Sequence, residues 1–236
     1  MKNTKPLGQK AYGSIPHLPG SRMGDGDHHI EEGQAQIATV KTRDKHDLVI
    51  VQEKLDGSNC AVAKVDGKIL ALVRAGYLAN TSPWEQHHLF SNWVESEQAR
   101  FDELLNEGER VCGEWLAQAH GTIYKLPHEP FVPFDIMLGN DRTLYRQFLL
   151  RVLPLGFTVP HLIHIGEPLS VENALKGIEV SAHGAVDEVE GVVYRVERKD
   201  TVDFLTKYVK PDKVDGKYLP ERNNGITVWN WTWPEK

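Results

Sequence analysis

The dipeptide Asp66-Gly67 lies between two apolar, β-branched runs, residues 60–65 and 69–73, and this constrains the fold more than any other feature of the chain. An Asp-Gly connection of two residues suits a turn with positive φ at both positions, and such a turn commits its flanking strands to antiparallel pairing. Further extended segments are predicted at residues 48–51, 110–114, 131–137, 158–165, 189–196 and 204–209. Between them lie helical signals. Ser82-Pro83-Trp84-Glu85 reads as a helix start, with Ser82 as N-cap, Pro83 as first helical residue and Glu85 as the returning arm of a capping box. Leu89, Phe90, Trp93 and Val94 follow at helical spacing, and a second helix is expected over residues 98–105. A third should begin near Asp141, place Leu144, Phe148 and Val152 on one side, and stop by Gly156. A short one over residues 170–176 should end at Gly177. Hairpins mixed with helices, without a regular βαβ alternation, predict an α+β fold with mainly antiparallel sheets flanked by helices.

The chain has 236 residues, enough to bury a sizeable core, and its 40% hydrophobic and 25% charged content is that of a globular protein. No apolar run approaches the roughly 18–20 residues that a membrane-spanning helix needs, and residues 1–20 have no continuous apolar stretch. No membrane association and a cytoplasmic location are therefore expected. The formal net charge of −6 argues against coating nucleic acid with the whole surface, but leaves room for a local basic groove. Two cysteines, Cys60 and Cys112, are too few for a disulfide framework and read as small buried side chains on strands. Residues 1–46 are rich in Gly and Pro and carry His17, His28 and His29. They read as a loop-rich segment packed on the main domain, with the His pair in a solvated loop.

Chemistry first shows in Lys54-Leu55-Asp56-Gly57-Ser58-Asn59. Alone, Lys-x-Asp-Gly carries nothing, since average composition produces it in roughly one chain in twenty. Further along stand Gly113-Glu114-Trp115-Leu116, Phe131-Val132-Pro133-Phe134-Asp135-Ile136, Glu190-Gly191-Val192-Val193-Tyr194 and Lys207-Tyr208-Val209-Lys210. In this order and at these separations the set resembles nucleotidyl motifs I, III, IIIa, IV and V of the covalent nucleotidyltransferases. Within that superfamily it is most similar to the ATP-dependent RNA ligases related to phage double-strand RNA ligases. The likeness runs from about residue 49 to residue 210.

The resemblance implies a ligase joining 3′-hydroxyl and 5′-phosphate ends of RNA, with ATP and Mg²⁺ or Mn²⁺ as cofactors. Lys54 would take up AMP, AMP would pass to a 5′-phosphate, and a 3′-hydroxyl would then displace it. An amine nucleophile must be neutral, and an ordinary lysine is so in roughly one case in a thousand at cytosolic pH. Positive charge from Lys207, Lys210 and a metal would favour the neutral form. By the same resemblance Asp56 and Glu190 are the metal-associated acids, and Glu114 contacts the ribose hydroxyls. Phe134 stacks on adenine with Val193 on its other face, Glu53 reads the adenine amino group, and Arg74 touches phosphate or the 3′-hydroxyl strand. Lys207 contacts phosphate. Lys210, three residues on, would face the other side of a regular strand and needs a bulge or bend to join it.

The expected organisation is an N-terminal segment 1–46, an adenylyltransferase domain 47–210 and a short extension 211–236 without a separate barrel. Partners would be RNA or a nicked duplex, with a protein partner a further possibility for supplying grip on nucleic acid. Lys213 and Lys217 form a local basic patch, either a nucleic-acid contact or solvated. Trp229, Trp231 and Trp233 alternate so as to share one face of an extended segment, either packed on the main domain or open to stacking bases. Three other readings stay open: a small ATP-dependent DNA ligase, a GTP-using capping-type guanylyltransferase, and a non-catalytic nucleic-acid-binding protein on a ligase fold.

Overall fold

In the computed structural model, which describes residues 4–233, the strands are β1 (Asp47–Lys54), β2 (Ser58–Val65), β3 (Lys68–Val73), β4 (Glu109–Trp115), β5 (Phe131–Leu138), β6 (Asp141–Arg142), β7 (Leu162–Gly166), β8 (Gly191–Arg198) and β9 (Thr201–Val209). The helices are α1 (Glu32–Thr39), α2 (Glu85–Ser96), α3 (Gln98–Leu104), α4 (Tyr145–Val152) and α5 (Val171–Lys176). The α+β class with antiparallel sheets is as the sequence predicts, and the chain divides into two units. The outermost residues of the expected segments 1–46 and 211–236 (1–3 and 234–236) lie outside the described residues.

One unit comprises residues 1–13, 58–118 and 129–159. Its sheet runs β3-β2-β4-β5-β6, with every pair antiparallel. The Asp66-Gly67 hairpin forms as expected, with φ of 52° and 69°, and pairs Val65 with Lys68 through to Cys60 with Val73. Phe90 and Trp93 of α2 pack with Trp115 and Phe131 of the sheet, ring centroids 5.1–5.8 Å apart, and Phe101 of α3 closes the cluster. Both cysteines are buried and free, and burial pushes both thiols up, Cys112 to about 12, so neither is a nucleophile at neutral pH.

The other unit comprises residues 14–57, 119–128 and 160–236. Its sheet runs β7-β1-β8-β9, again antiparallel throughout. One face buries Val49, Val51, Val192, Tyr194, Val196 and Phe204 against small residues of α1 and α5, Ala35, Ala38 and Ala174. Ser170, expected as the first helical residue, instead caps α5, accepting the Asn173 N–H at 3.3 Å.

Three other helix starts differ from expectation. Helix α2 begins at Glu85 rather than Pro83, because the Ser82 hydroxyl is taken by His87 Nδ1 at 2.6 Å and by the Trp84 N–H at 3.3 Å, and makes no capping box. Asp141 and Arg142 fold back as β6 on Met137 and Leu138, so α4 starts at Tyr145. Tyr145 rather than Leu144 then takes the buried position beside Phe148 and Val152. Helix α1 has no counterpart in the sequence pattern, since Ala35 and Ala38 are its only buried residues and leave almost no apolar periodicity.

Candidate functional site

The cross-strand register decides which side chains can act together. Gln52 lies opposite Val193 and Val193 opposite Lys207, while Lys54 lies opposite Gly191 and Gly191 opposite Val209. Directly paired residues share a face, so Lys54, Val193 and Lys207 stand on one side of this sheet. Gly191 permits the row: a Cβ there would meet the Tyr208 carbonyl oxygen at 1.9 Å.

Lys54 ends β1, and its Nζ donates to Glu190 Oε2 at 2.6 Å. Burial pushes the Glu190 carboxyl up to about 7. That net position sets burial, together with the nearby negative charges of Asp56 and Asp215, against the downward pull of Lys54. Between the ordinary 4.5 and about 7 the folded protein keeps a proton that the unfolded chain has released, so stability from this group is lost as pH rises through that window. Glu190→Gln, an isostere of the neutral acid, is expected to gain on the wild type by on the order of 2–3 kcal/mol between pH 5 and pH 8. Urea unfolding in metal-free buffer measures this, and an equal difference at both pH values would refute it.

Asp56 is fixed on several sides. Its Oδ2 accepts the Gly121 N–H at 3.0 Å and the Thr122 hydroxyl at 3.2 Å, and its own N–H donates to the Tyr124 hydroxyl oxygen at 3.0 Å. Lys213 Nζ lies 3.5 Å from the same Oδ2 and donates to the Gly121 and Glu188 carbonyls and to Thr122 Oγ1. Lys213 is 7% exposed, so it is no part of a solvated basic patch, and Lys217 is paired with Asp187 at 2.8 Å. Among the described residues no three His, Cys, Asp or Glu side chains form a group that could hold a metal ion. Mg²⁺ needs only one or two protein carboxylates, and the negative charge of Asp56 and Asp215 acting on buried Glu190 is of the kind that a divalent cation would offset.

Lys207 is held from the edge of the sheet by residues 16–18 and lies 3.7 Å from Asp27. Lys210 lies past the end of β9, where its N–H donates to the Glu190 carbonyl at 3.0 Å and its Nζ sits 3.6 Å from Glu188. The strand end, rather than a bulge, places Lys210 next to Glu190.

Glu53 falls on the opposite face from Lys54, because successive side chains alternate. Its buried carboxylate accepts the Ser181 hydroxyl at 2.5 Å and the Ala182 N–H at 3.3 Å. Burial raises its pKa, and these two donors oppose the rise. These contacts tie Glu53 to the loop after α5. Beside it, His183 is 1% exposed and hydrogen-bonded to His128 at 2.8 Å, and burial pushes its imidazole down to about 4.

The predicted residues Glu114, Phe134 and Arg74 belong to the first unit. Glu114 pairs with Asn59 and Val132, on the face away from the Trp115–Phe131 cluster. Phe134 is the extra residue of a β-bulge, between the Gly113–Pro133 and Cys112–Asp135 pairs. Its half-buried ring meets Tyr12 edge-on at 5.1 Å. Arg74 is exposed; its carbonyl accepts the Ala11 N–H at 3.0 Å, and its Nη2 donates to the Gly13 carbonyl at 3.3 Å. In the tail, Trp229 and Trp231 are half-buried and Trp233 is 44% exposed. His28 and His29 are exposed, as expected, while His17 is buried.

The RNA ligase family model matches residues 47–209, the span that carries every one of these motifs up to Val209. The chain belongs to the RNA ligase family. Its fold is similar to that of a Naegleria gruberi RNA ligase variant in its apo form, at 19% identity and a TM-score of 0.50, covering 82% of this chain and 58% of that one. A second variant of the Naegleria gruberi RNA ligase, solved with ATP and Mn, matches at 21% identity and TM-score 0.50 over 82% of this chain and 59% of that one. An archaeal ATP-dependent RNA ligase matches at 16% identity and TM-score 0.47 over 84% of this chain and 48% of that one. The chain thus spans about half to three-fifths of the length of these solved relatives. No curated protein matches it in sequence. Among the described residues no helix is long and apolar enough to cross a membrane.

Proposed function

We propose that this chain is an ATP-dependent RNA ligase that joins 3′-hydroxyl and 5′-phosphate ends through a covalent Lys54–AMP. The observation that carries this reading is the Lys54–Glu190 contact at 2.6 Å, on the same sheet face as Lys207, in a chain of the RNA ligase family. In the first step the Lys54 amine attacks the α-phosphorus of ATP. A P–N bond forms, the bond to the β-phosphate oxygen breaks, and pyrophosphate leaves. Glu190 Oε2 orients the amine and is placed to receive its proton. Lys207 and Lys210 bind phosphate oxygens. Asp56 and Glu190 would hold Mg²⁺ or Mn²⁺, which supplies charge neutralisation on the phosphates when bound. Glu114, Phe134, Val193 and Arg74 serve ribose, base and strand as the family likeness implies, and Glu53 acts by anchoring its loop.

Residues 47–210 would be the adenylyltransferase part, acting in RNA repair in the cytoplasm on RNA or a nicked duplex, with a protein partner supplying further grip. Mass spectrometry of the protein incubated with ATP and Mg²⁺ tests the first step. The expected result is one AMP adduct on the peptide containing Lys54, removed by pyrophosphate. An adduct formed from GTP alone, or none, would overturn the reading.

A further inference from the structure

We propose that Asp27 and His17 are positioning residues for the Lys207 ammonium, and that the N-terminal segment is thereby part of the phosphate site. This rests on the ligase reading above. Strand β9 is an edge strand, with β8 on one side only. On its open side the Lys207 N–H donates to the Pro16 carbonyl at 3.0 Å, and the Lys207 carbonyl accepts the Leu18 N–H at 2.8 Å. The next outward-facing residue is held likewise: the Val209 N–H donates to Ser21 Oγ at 2.9 Å and its carbonyl accepts the Arg22 N–H at 3.0 Å. The backbone at Lys207 is therefore fixed from outside the sheet, at the residue whose side chain shares a face with Lys54.

The same segment then returns to the side chain. His17, flanked by Pro16 and Leu18, is 2% exposed, and its Nδ1 is hydrogen-bonded to Ser21 Oγ at 2.7 Å. Its Nε2 lies 3.1 Å from Asp27 Oδ2, close enough to pair but not aligned as a hydrogen bond. The Gly24 N–H donates to that same oxygen at 2.9 Å, which leaves Asp27 Oδ1 facing Lys207 Nζ at 3.7 Å. Burial pushes the Asp27 carboxyl up, but the Gly24 amide, Lys207 and His17 outweigh it and hold the group below its ordinary range. It is charged at neutral pH. An ion pair this long, between partly exposed groups, adds little stability. It can aim the ammonium without competing strongly for it when phosphate arrives.

The test is a double-mutant cycle on Lys54 adenylylation with MgATP, using wild type, Asp27→Ala, Lys207→Ala and the double variant. If Asp27 acts through Lys207, Asp27→Ala slows adenylylation or raises the ATP KM by roughly tenfold, in line with the cost of small misplacements. The double variant is then no slower than Lys207→Ala alone, and Asp27→Glu restores most of the loss. Should Asp27→Ala lower the melting temperature, Asp27→Asn, which keeps an acceptor for the Gly24 amide, is expected to give the same kinetic pattern in a folded protein. A wild-type rate for Asp27→Ala, or losses that multiply in the double variant, would overturn the positioning role while leaving the ligase reading intact. A wild type that takes up no AMP would overturn the ligase reading and the role of Lys207 with it.

Discussion

Lys54→Ala is expected to take up no AMP from labelled ATP, a loss on the order of 10⁴-fold or more, as when an enzyme loses its nucleophile. Lys207 shares the sheet face but sits one side-chain row back, opposite Val193, so it does not take the place of Lys54 beside Glu190. The variant should nonetheless stay folded. Removing Lys54 leaves Glu190 buried without its cation, which would be costly for a carboxylate that had to remain charged. Burial already places that carboxyl at about 7, so it can take a proton instead. Loss of label with an unchanged unfolding midpoint at pH 6.5 is the expected pair of results. Equal labelling of variant and wild type would end the assignment of Lys54.

The strands were legible because their signals are local. An Asp-Gly turn between β-branched runs needs no tertiary information, and β2 and β3 formed around it in the expected register. The helices begin at Glu85 and Tyr145 rather than near Ser82 and Asp141 because competing side-chain partners decide their starts. His87 takes the Ser82 hydroxyl, and Arg142 is drawn to the Asp135 carboxylate at 3.1 Å, next to the turn that makes β6. Local propensity cannot register such contacts.

The candidate site was legible as residue types and only partly as geometry. Motif order singles out Lys54, Glu190 and Lys207, and the sheet brings them onto one face or into contact. Strand alternation, applied to Glu53 and Lys54 as neighbours, already separates their side chains, yet a motif position says nothing of faces. The groups that fix the site carry no motif. Asp27 reaches Lys207 across 180 positions, and Gly121 and Thr122 reach Asp56 across 65 and 66.

Lys213 shows the same limit with the largest consequence for stability. Read along the chain, it is one lysine of a basic cluster; in the fold its ammonium is almost fully buried and holds three segments together. It donates to the Gly121 carbonyl at 2.9 Å, to Thr122 Oγ1, and to the Glu188 carbonyl at 3.1 Å, and it lies 3.5 Å from the Asp56 carboxylate. Lys213→Met keeps the stem and removes the charge. Two carbonyls lose a donor and Asp56 loses a buried cation, so the expected cost is roughly 3–5 kcal/mol, the range for breaking a buried pair from one side. For a chain of this size that is a fall of about 10 °C or more in melting temperature. Adenylylation should fall as well, since the 121–122 turn that fixes Asp56 and the segment leading into Glu190 lose their common tie. A solvated lysine would give a change within about 0.5 kcal/mol. Thermal unfolding of Lys213→Met therefore separates a buried strut from a surface patch by a wide margin.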